Sequence, residues 1–187
     1  MKLFIKNMVC GRCKLAVDAI LKDAGYNVVS VNLGEVTISN ELSKSELQYL
    51  NKKLQSIGFE LLEDEAKKQI EKIKQIVIEK IETIEIAEDF KLSDFIPQQL
   101  YKDYSSLSKL FSQNEGITLE HFFILQKVEK AKELLFYNLL SLTQIASMLG
   151  YKSVQHLSAQ FKKVTGLTPS VFKQLKQNVR KPLDRLS

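Results

Sequence analysis

Cysteine is scarce in this 187-residue chain: Cys10 and Cys13 are the whole supply. That excludes a disulfide framework and points to a reducing compartment. Histidine is equally scarce. His121 and His156 both lie far from the cysteines in sequence, so a closed zinc site, which needs about four ligands, cannot be assembled within the N-terminal part. Long apolar runs are absent too. Nothing approaches the roughly 20 residues needed to cross a bilayer, and the opening segment Leu3 to Val9 is interrupted by Lys6 and Asn7. Neither a spanning helix nor a signal peptide is expected, and the cytoplasm is the expected location.

What is present is an ordinary soluble composition, 44% hydrophobic and 26% charged, in a chain long enough for one domain or two small ones. The net charge of +5 is unevenly placed. Residues 1–64 carry 8 basic and 8 acidic groups, residues 65–138 carry 11 and 13, and residues 139–187 carry 8 and 1. The whole excess therefore sits in the last quarter of the chain. Concentrated positive charge suits a polyanion, because binding releases counterions from a phosphate backbone. A solvated basic tail at Lys181 to Arg185 accounts for part of the excess without any partner.

The first 64 residues alternate between strand and helix patterns. Lys2 to Met8 reads as a strand and leads into Val9-Cys10-Gly11-Arg12-Cys13. A helix follows through Ala16, Val17, Ile20 and Leu21 and ends at Gly25. Val28 to Leu33 and Glu35 to Ile38 read as strands meeting at Gly34. Ser43 and Glu46 form a capping box ahead of a helix whose stripe is Leu47, Leu50, Leu54 and Ile57. Phe59 to Leu62 closes the module as a strand. The order strand, helix, strand, strand, helix, strand is that of the ferredoxin-like arrangement.

Met8-x-Cys10-x-x-Cys13 at the first strand–helix junction, in that element order, resembles the heavy-metal-associated domain over residues 1–64. The resemblance implies a soft-metal site, most often for Cu(I), with Cys10 and Cys13 as ligands. The chemistry agrees, since a cysteine at a helix N-terminus ionises more readily and two soft sulfurs suit Cu(I). Asn7 stands where that family usually has glycine. Two other readings stay open. A thiol-redox enzyme would need a proline facing the cysteines, and the first proline is Pro97. In the other, the thiols are inert and the module serves only for packing or dimerisation.

From Glu65 a charged helical stripe runs through Ala66, Ile70, Ile73, Val77, Ile81 and Ile84. The chain then repeats itself. Residues 92–122 align without gaps on 142–172, with nine identities: Leu92/Leu142, Tyr101/Tyr151, Lys102/Lys152, Leu107/Leu157, Ser108/Ser158, Phe111/Phe161, Gly116/Gly166, Thr118/Thr168 and Phe122/Phe172. A fixed period of this kind marks a duplicated structural unit. In the second copy, Leu142, Ile145, Ala146 and Leu149 form one buried face, Gly150 makes a turn, and Ser153 caps a helix with the stripe Val154, Leu157 and Phe161. In the first copy, Leu100 replaces the turn glycine, Asp103 takes the capping place, and Pro97 should start or bend the first helix. Between the copies, residues 118–138 read as one helix with Phe122, Leu125, Val128, Ala131, Leu134 and Leu135 on its apolar side. Such a helix spans about 31 Å, near the ~34 Å between successive major-groove entries on one face of DNA.

Leu142-Thr143-Gln144-Ile145-Ala146, the Leu149-Gly150-Tyr151 turn, Phe161-Lys162-Lys163 and Gly166-Leu167-Thr168-Pro169-x-x-Phe172 together resemble the AraC-type DNA-binding domain. That resemblance implies helix-turn-helix units at 92–116 and 142–166 on a linker helix at 118–138. Its base-facing positions fall on Ser105, Ser106, Ser108 and Lys109 in the first unit. In the second they fall on Val154, Gln155, His156, Ser158 and Ala159. Lys102, Lys152, Lys162 and Lys163 are expected on phosphates. Gln155 suits adenine and Lys109 guanine or a phosphate, while Ala159 offers no hydrogen bond. His121, on the linker, is expected to be structural.

The fold class expected is therefore an α+β ferredoxin-like domain over 1–64, followed by an all-α domain with two helix-turn-helix units over 65–187. The function expected is a bacterial transcription regulator that binds double-stranded DNA in the major groove. Cu(I) or another soft metal is its candidate ligand and RNA polymerase a candidate partner. No catalytic residues are expected, and oligomeric state is left open between monomer and dimer. The competing reading is a metal carrier whose helical half docks on a protein.

Overall fold

The computed structural model describes residues 1–179, with side chains described through Leu175; the basic residues Lys181 to Arg185 lie outside that range. The chain divides into two compact units between Ile76 and Val77.

The first unit is built from β1 (Lys2–Lys6), α1 (Gly11–Asp23), β2 (Val28–Asn32), β3 (Glu35–Ile38), α2 (Lys44–Gln55) and β4 (Glu60–Leu61). The four strands form one sheet in the order β2-β3-β1-β4, with every neighbouring pair antiparallel. Inward residues of the sheet, Leu3, Ile5, Val36 and Ile38, meet Val17 and Leu21 of α1 and Leu50 and Leu54 of α2 in one buried cluster. The capping box at Ser43 and Glu46 is present, and it fixes where α2 starts. Ile57, expected on the α2 stripe, lies beyond the end of the helix and is 47% exposed.

The first strand stops at Lys6, short of the expected Met8. Asn7 takes a left-handed conformation, φ 73°, which asparagine tolerates better than most residues. Its side chain donates to the Gly58 carbonyl at 2.9 Å, and its N–H donates to Glu71 Oε1 at 3.3 Å. Asparagine thus does here what glycine would do sterically, and adds a tether.

Helix α3 (Glu65–Glu82) straddles the division, which is why the compact units separate later than the composition change at residue 64. Its first half packs on the sheet: Lys68 and Lys72 lie over the Phe4 ring, 5.4 and 4.7 Å from its centroid, and Ile70 and Ile73 are buried. Its second half buries Val77 and Ile81 in the second unit. Ile84, expected on the same stripe, follows the helix end with φ 51°.

The second unit continues with α4 (Leu92–Leu100), α5 (Tyr104–Glu115), α6 (Leu119–Tyr137), α7 (Leu142–Met148), α8 (Val154–Thr165) and α9 (Pro169–Val179). Caps mark the boundaries. Asp103, Thr118, Ser141 and Ser153 each accept a backbone N–H from the residue three positions on. Gly116, Asn138 and Gly166 end α5, α6 and α8 in the left-handed conformation. Pro97 neither starts nor ends α4; it sits inside it, and its carbonyl accepts the Tyr101 N–H at 2.8 Å. Among the described residues no helix is long and apolar enough to cross a membrane.

The two turns differ in one respect that residue spacing does not show. In the second copy Gly150 takes the positive φ, 67°, whereas in the first it is Tyr101, at 53°, one residue later than the expected Leu100. Gly150 is crowded as well as left-handed: a Cβ there would lie 2.8 Å from both the Ala87 carbonyl oxygen and Ile86 Cγ2. Gly166, also left-handed, faces nothing within 4 Å. Gly150→Ala should therefore lower the unfolding free energy by roughly 2 kcal/mol or more, and Gly166→Ala by only about 1 kcal/mol. Urea unfolding of the full chain reads both, and equal losses would remove the steric part of the account.

Candidate nucleic-acid interface and thiol pair

Each helix-turn-helix is locked to its neighbour by the same aromatic contact. Phe111 packs on Phe122 with centroids 5.4 Å apart, and Phe161 packs on Phe172 at 5.5 Å. Phe111 and Phe161 are wholly buried, as are Leu107 and Leu157 one turn earlier. With those residues inward, helical geometry turns the opposite faces of α5 and α8 to solvent.

On α5, Ser105, Ser106 and Lys109 are exposed and Ser108 is half-buried. Ser105 Oγ donates to Asp103 Oδ2 at 2.6 Å and the Ser106 N–H donates to the same oxygen at 2.9 Å. These two donors, the serine hydroxyl first, hold the Asp103 carboxyl down to about 2. Ser105 is thus partly committed to the cap. On α8, Gln155, His156 and Ala159 are exposed, and Val154 and Ser158 are half-buried. Gln155, Ala159 and Lys163 follow one another at four-residue steps, so they share a face. Lys162 and Lys163 occupy the last turn of α8, where cations also complement the helix dipole. Lys102 and Lys152 are exposed at equivalent places, each just before the capping residue of the second helix. The structure therefore gathers the predicted base-reading residues onto two solvent faces with lysines at their margins. Helix α6, 19 residues long, joins the two helix-turn-helix copies over roughly 28 Å. His121 is exposed in its first turn, and its N–H donates to Thr118 Oγ1 at 3.0 Å.

Three side chains behind these faces escaped the sequence reading. Tyr104 donates to Glu120 Oε1 at 2.5 Å, tying the start of α5 to α6; burial first, then that carboxylate, raises the phenol above its ordinary range. Lys127 and Lys130 are buried on α6 at 7% and 8% exposure. Burial opposes the Lys130 charge, but Glu82 and Glu133, at 2.7 and 3.1 Å, outweigh it and raise its pKa. Among the described residues Lys127 meets no carboxylate. It donates to the Leu149 carbonyl at 3.0 Å and lies over the Tyr151 ring at 3.9 Å, and burial lowers its pKa to about 8. A lysine beside a stripe residue such as Val128 looks like a flank in sequence; nothing there signals an inward turn.

In the first unit, Cys10 occupies the cap position of α1 in extended conformation, φ −155°. Its carbonyl accepts the Cys13 N–H at 3.1 Å, and the two sulfurs lie 3.4 Å apart. Cys10 is exposed and Cys13 half-buried. The Cys13 backbone N–H, then the Cys13 thiol, lower the Cys10 pKa, with Arg12 adding to the effect. Met8 is 1% exposed and belongs to the core, so its thioether is not a third donor. Among the described residues no group of three or more Cys, His, Asp or Glu side chains converges. The donor set is two soft thiolates, which fits an ion of low coordination number and not a closed zinc site.

Comparison with known proteins finds matches in the helical part. A family model described as a helix-turn-helix domain matches residues 98–175. That match lies wholly within the second unit. The chain is 35% identical over 75 residues to the xylose operon regulatory protein of Escherichia coli (strain K12), covering 40% of this chain and 19% of that protein. It is 30% identical over 94 residues to the HTH-type transcriptional activator RhaR of Pectobacterium carotovorum subsp. carotovorum (strain PC1), covering 50% of this chain and 33% of that one. The chain thus spans between a fifth and a third of the length of these curated relatives. In fold, it is similar to the C-terminal domain of AraT, a response regulator from Geobacillus stearothermophilus: TM-score 0.51 and 24% identity, covering 64% of this chain and 91% of that chain.

The thiol geometry makes one direct prediction for the metal-free protein. Iodoacetamide should label Cys10 faster than Cys13, because Cys10 is the more exposed and its own pKa is lowered. The pH midpoint of the Cys10 rate should lie below that of a free cysteine. Mass spectrometry of the labelled peptide reads both, and faster labelling at Cys13 would reverse the assignment.

Proposed function

We propose that this chain is a DNA-binding transcription regulator, not an enzyme, that sets α5 and α8 into successive major-groove segments of one duplex. The observation that carries the reading is the duplicated helix-turn-helix. Two copies, related by a 50-residue repeat, each turn a polar helix face to solvent and are joined by one 19-residue helix. The transcription-regulator names of the matched relatives support it, as does the positive excess in residues 139–187. Gln155 and Lys109 read bases, Gln155 bidentate to adenine. Lys102, Lys152, Lys162 and Lys163 contact phosphates, which fix register without reading sequence. Ala159 leaves the second helix with fewer base contacts than its exposed area would allow.

Selection from a pool of random-sequence duplexes supplies the site for the test. Gln155→Ala and Lys109→Ala should each weaken that site by about 1–3 kcal/mol and relax preference at one position. Lys162→Ala should weaken all sequences alike and flatten the salt dependence by about one charge. Affinity that ignores salt, or both reading variants binding as wild type, would sink the proposal.

The first unit is read as a ferredoxin-like, heavy-metal-associated module that senses a soft metal at Cys10 and Cys13. Its βαββαβ order and β2-β3-β1-β4 antiparallel sheet support the fold. The support for the ligand is a pair of thiols at a helix start, one with lowered pKa and one at the core edge. Such an ion, when bound, would supply charge neutralisation and a covalent link between the two sulfurs. Cu(I) titration against a competing chelator should give one tight site in the wild type and none in the Cys10→Ser, Cys13→Ser double variant. Identical titrations would leave the module as packing only.

A further inference from the structure

The junction between α6 and the second turn holds a charge that neither reading above uses. Lys127 sits inside the apolar side of α6, 7% exposed. Its Nζ donates to the carbonyl of Leu149, the residue that ends α7. Helix ends leave such carbonyls without an intrahelical partner, so this ammonium completes the end of α7 from within. The same Nζ lies 3.9 Å from the centroid of the Tyr151 ring and 5.3 Å from that of Phe123. One cation therefore grips both sides of Gly150, the carbonyl before it and the aromatic face after it. A cation over a tyrosine face is held more strongly when both are out of water.

Tyr151 carries that grip onward. It is 4% exposed; its hydroxyl donates to Gln160 Oε1 on α8 at 2.7 Å. Its ring meets His156 edge to face, with centroids 5.3 Å apart. Gln160 and His156 are one helical turn apart, so two contacts on Tyr151 fix the rotation of α8 about its own axis. Rotation decides where the α8 donors point, because successive residues differ by about 100° around a helix and a bidentate base contact tolerates little misalignment. The first copy lacks this device. Tyr101, the repeat partner of Tyr151, is 93% exposed, and the residue 50 positions before Lys127 is Val77.

We infer that Lys127 is a positioning residue for base recognition by α8: through Leu149 and Tyr151 it sets the angle at which Gln155 and His156 meet the bases. The inference rests on the DNA-reading assignment. It concerns the second half-site, since the two groups through which Lys127 acts, the Leu149 carbonyl and the Tyr151 ring, both flank the second turn.

The test uses the full chain and three variants. Lys127→Met keeps the apolar stem and removes the cation; Lys127→Arg keeps a cation that can also donate to a carbonyl and lie over a ring. Tyr151→Phe keeps the ring over Lys127 and removes only the bond to Gln160. Base preference is scored at each half-site with the pool of random-sequence duplexes. Lys127→Met should lose about tenfold in discrimination opposite α8, with preference opposite α5 and the salt slope unchanged. Lys127→Arg should recover wild-type discrimination to within about twofold, and Tyr151→Phe should fall severalfold at the α8 half-site. Unchanged discrimination in Lys127→Met, or an equal loss at both half-sites, overturns the inference, as does a folded Lys127→Arg that behaves like Met. If Lys127→Met does not fold, Tyr151→Phe decides: wild-type discrimination in it overturns the inference. A wild-type chain without base preference at either half-site is a distinct result, and it removes the DNA-reading assignment and this inference together.

Discussion

A two-helix turn is too small to bury its own apolar face, so each helix-turn-helix here depends on an aromatic clasp at its far end. Phe111 on Phe122 and Phe161 on Phe172 supply it. Each clasp fixes the last turns of the second helix while the cap fixes its first: Asp103 for α5, Ser153 for α8. With both ends held, a short helix can present a fully polar face, since the packing and not the exposed residues keeps it folded. The solvent faces are therefore free to vary in sequence without loss of the fold.

The same division between support and display holds in the first unit. The sheet and two helices bury a continuous core, and the Cys10 loop sits at its margin, held by Asn7 to the Gly58 turn and to Glu71 of α3. Cys13 is packed against the core while Cys10 is exposed. The two sulfurs thus differ in freedom: one is anchored and the other can move toward a ligand.

Much of this was legible in the sequence, because it rests on period and punctuation. The helices of the duplicated part and their caps at Asp103 and Ser153 follow from apolar spacing and short polar residues, and the repeat assigns Tyr101 to Tyr151 and Phe111 to Phe161. What was not legible depends on where a side chain turns in three dimensions. Lys127 and Lys130 look like flanking charges on a helix but lie inside it. Pro97 looks like a boundary and is a helix interior, because the helix has only begun its ladder of hydrogen bonds there and loses just one. The strand at Lys2 ends early because Asn7 supplies a turn that its neighbours' alternation hides. Ile57 fits the stripe of α2 by count, yet the helix has already stopped.

The paired tyrosines at 101 and 151 carry a consequence for how such a duplicated helix pair can change. Identical residues at equivalent places have opposite fates, one 93% exposed and the other 4%. The difference arises from what surrounds them: the buried one has a lysine beneath it and a glycine before it. The first turn is thus a soft joint, open to insertion or substitution without disturbing a core. The second is a hard one, where a change of side chain is felt by α6, α7 and α8 at once. Sequence drift has an easier path through the first turn, while the second holds three helices to one arrangement.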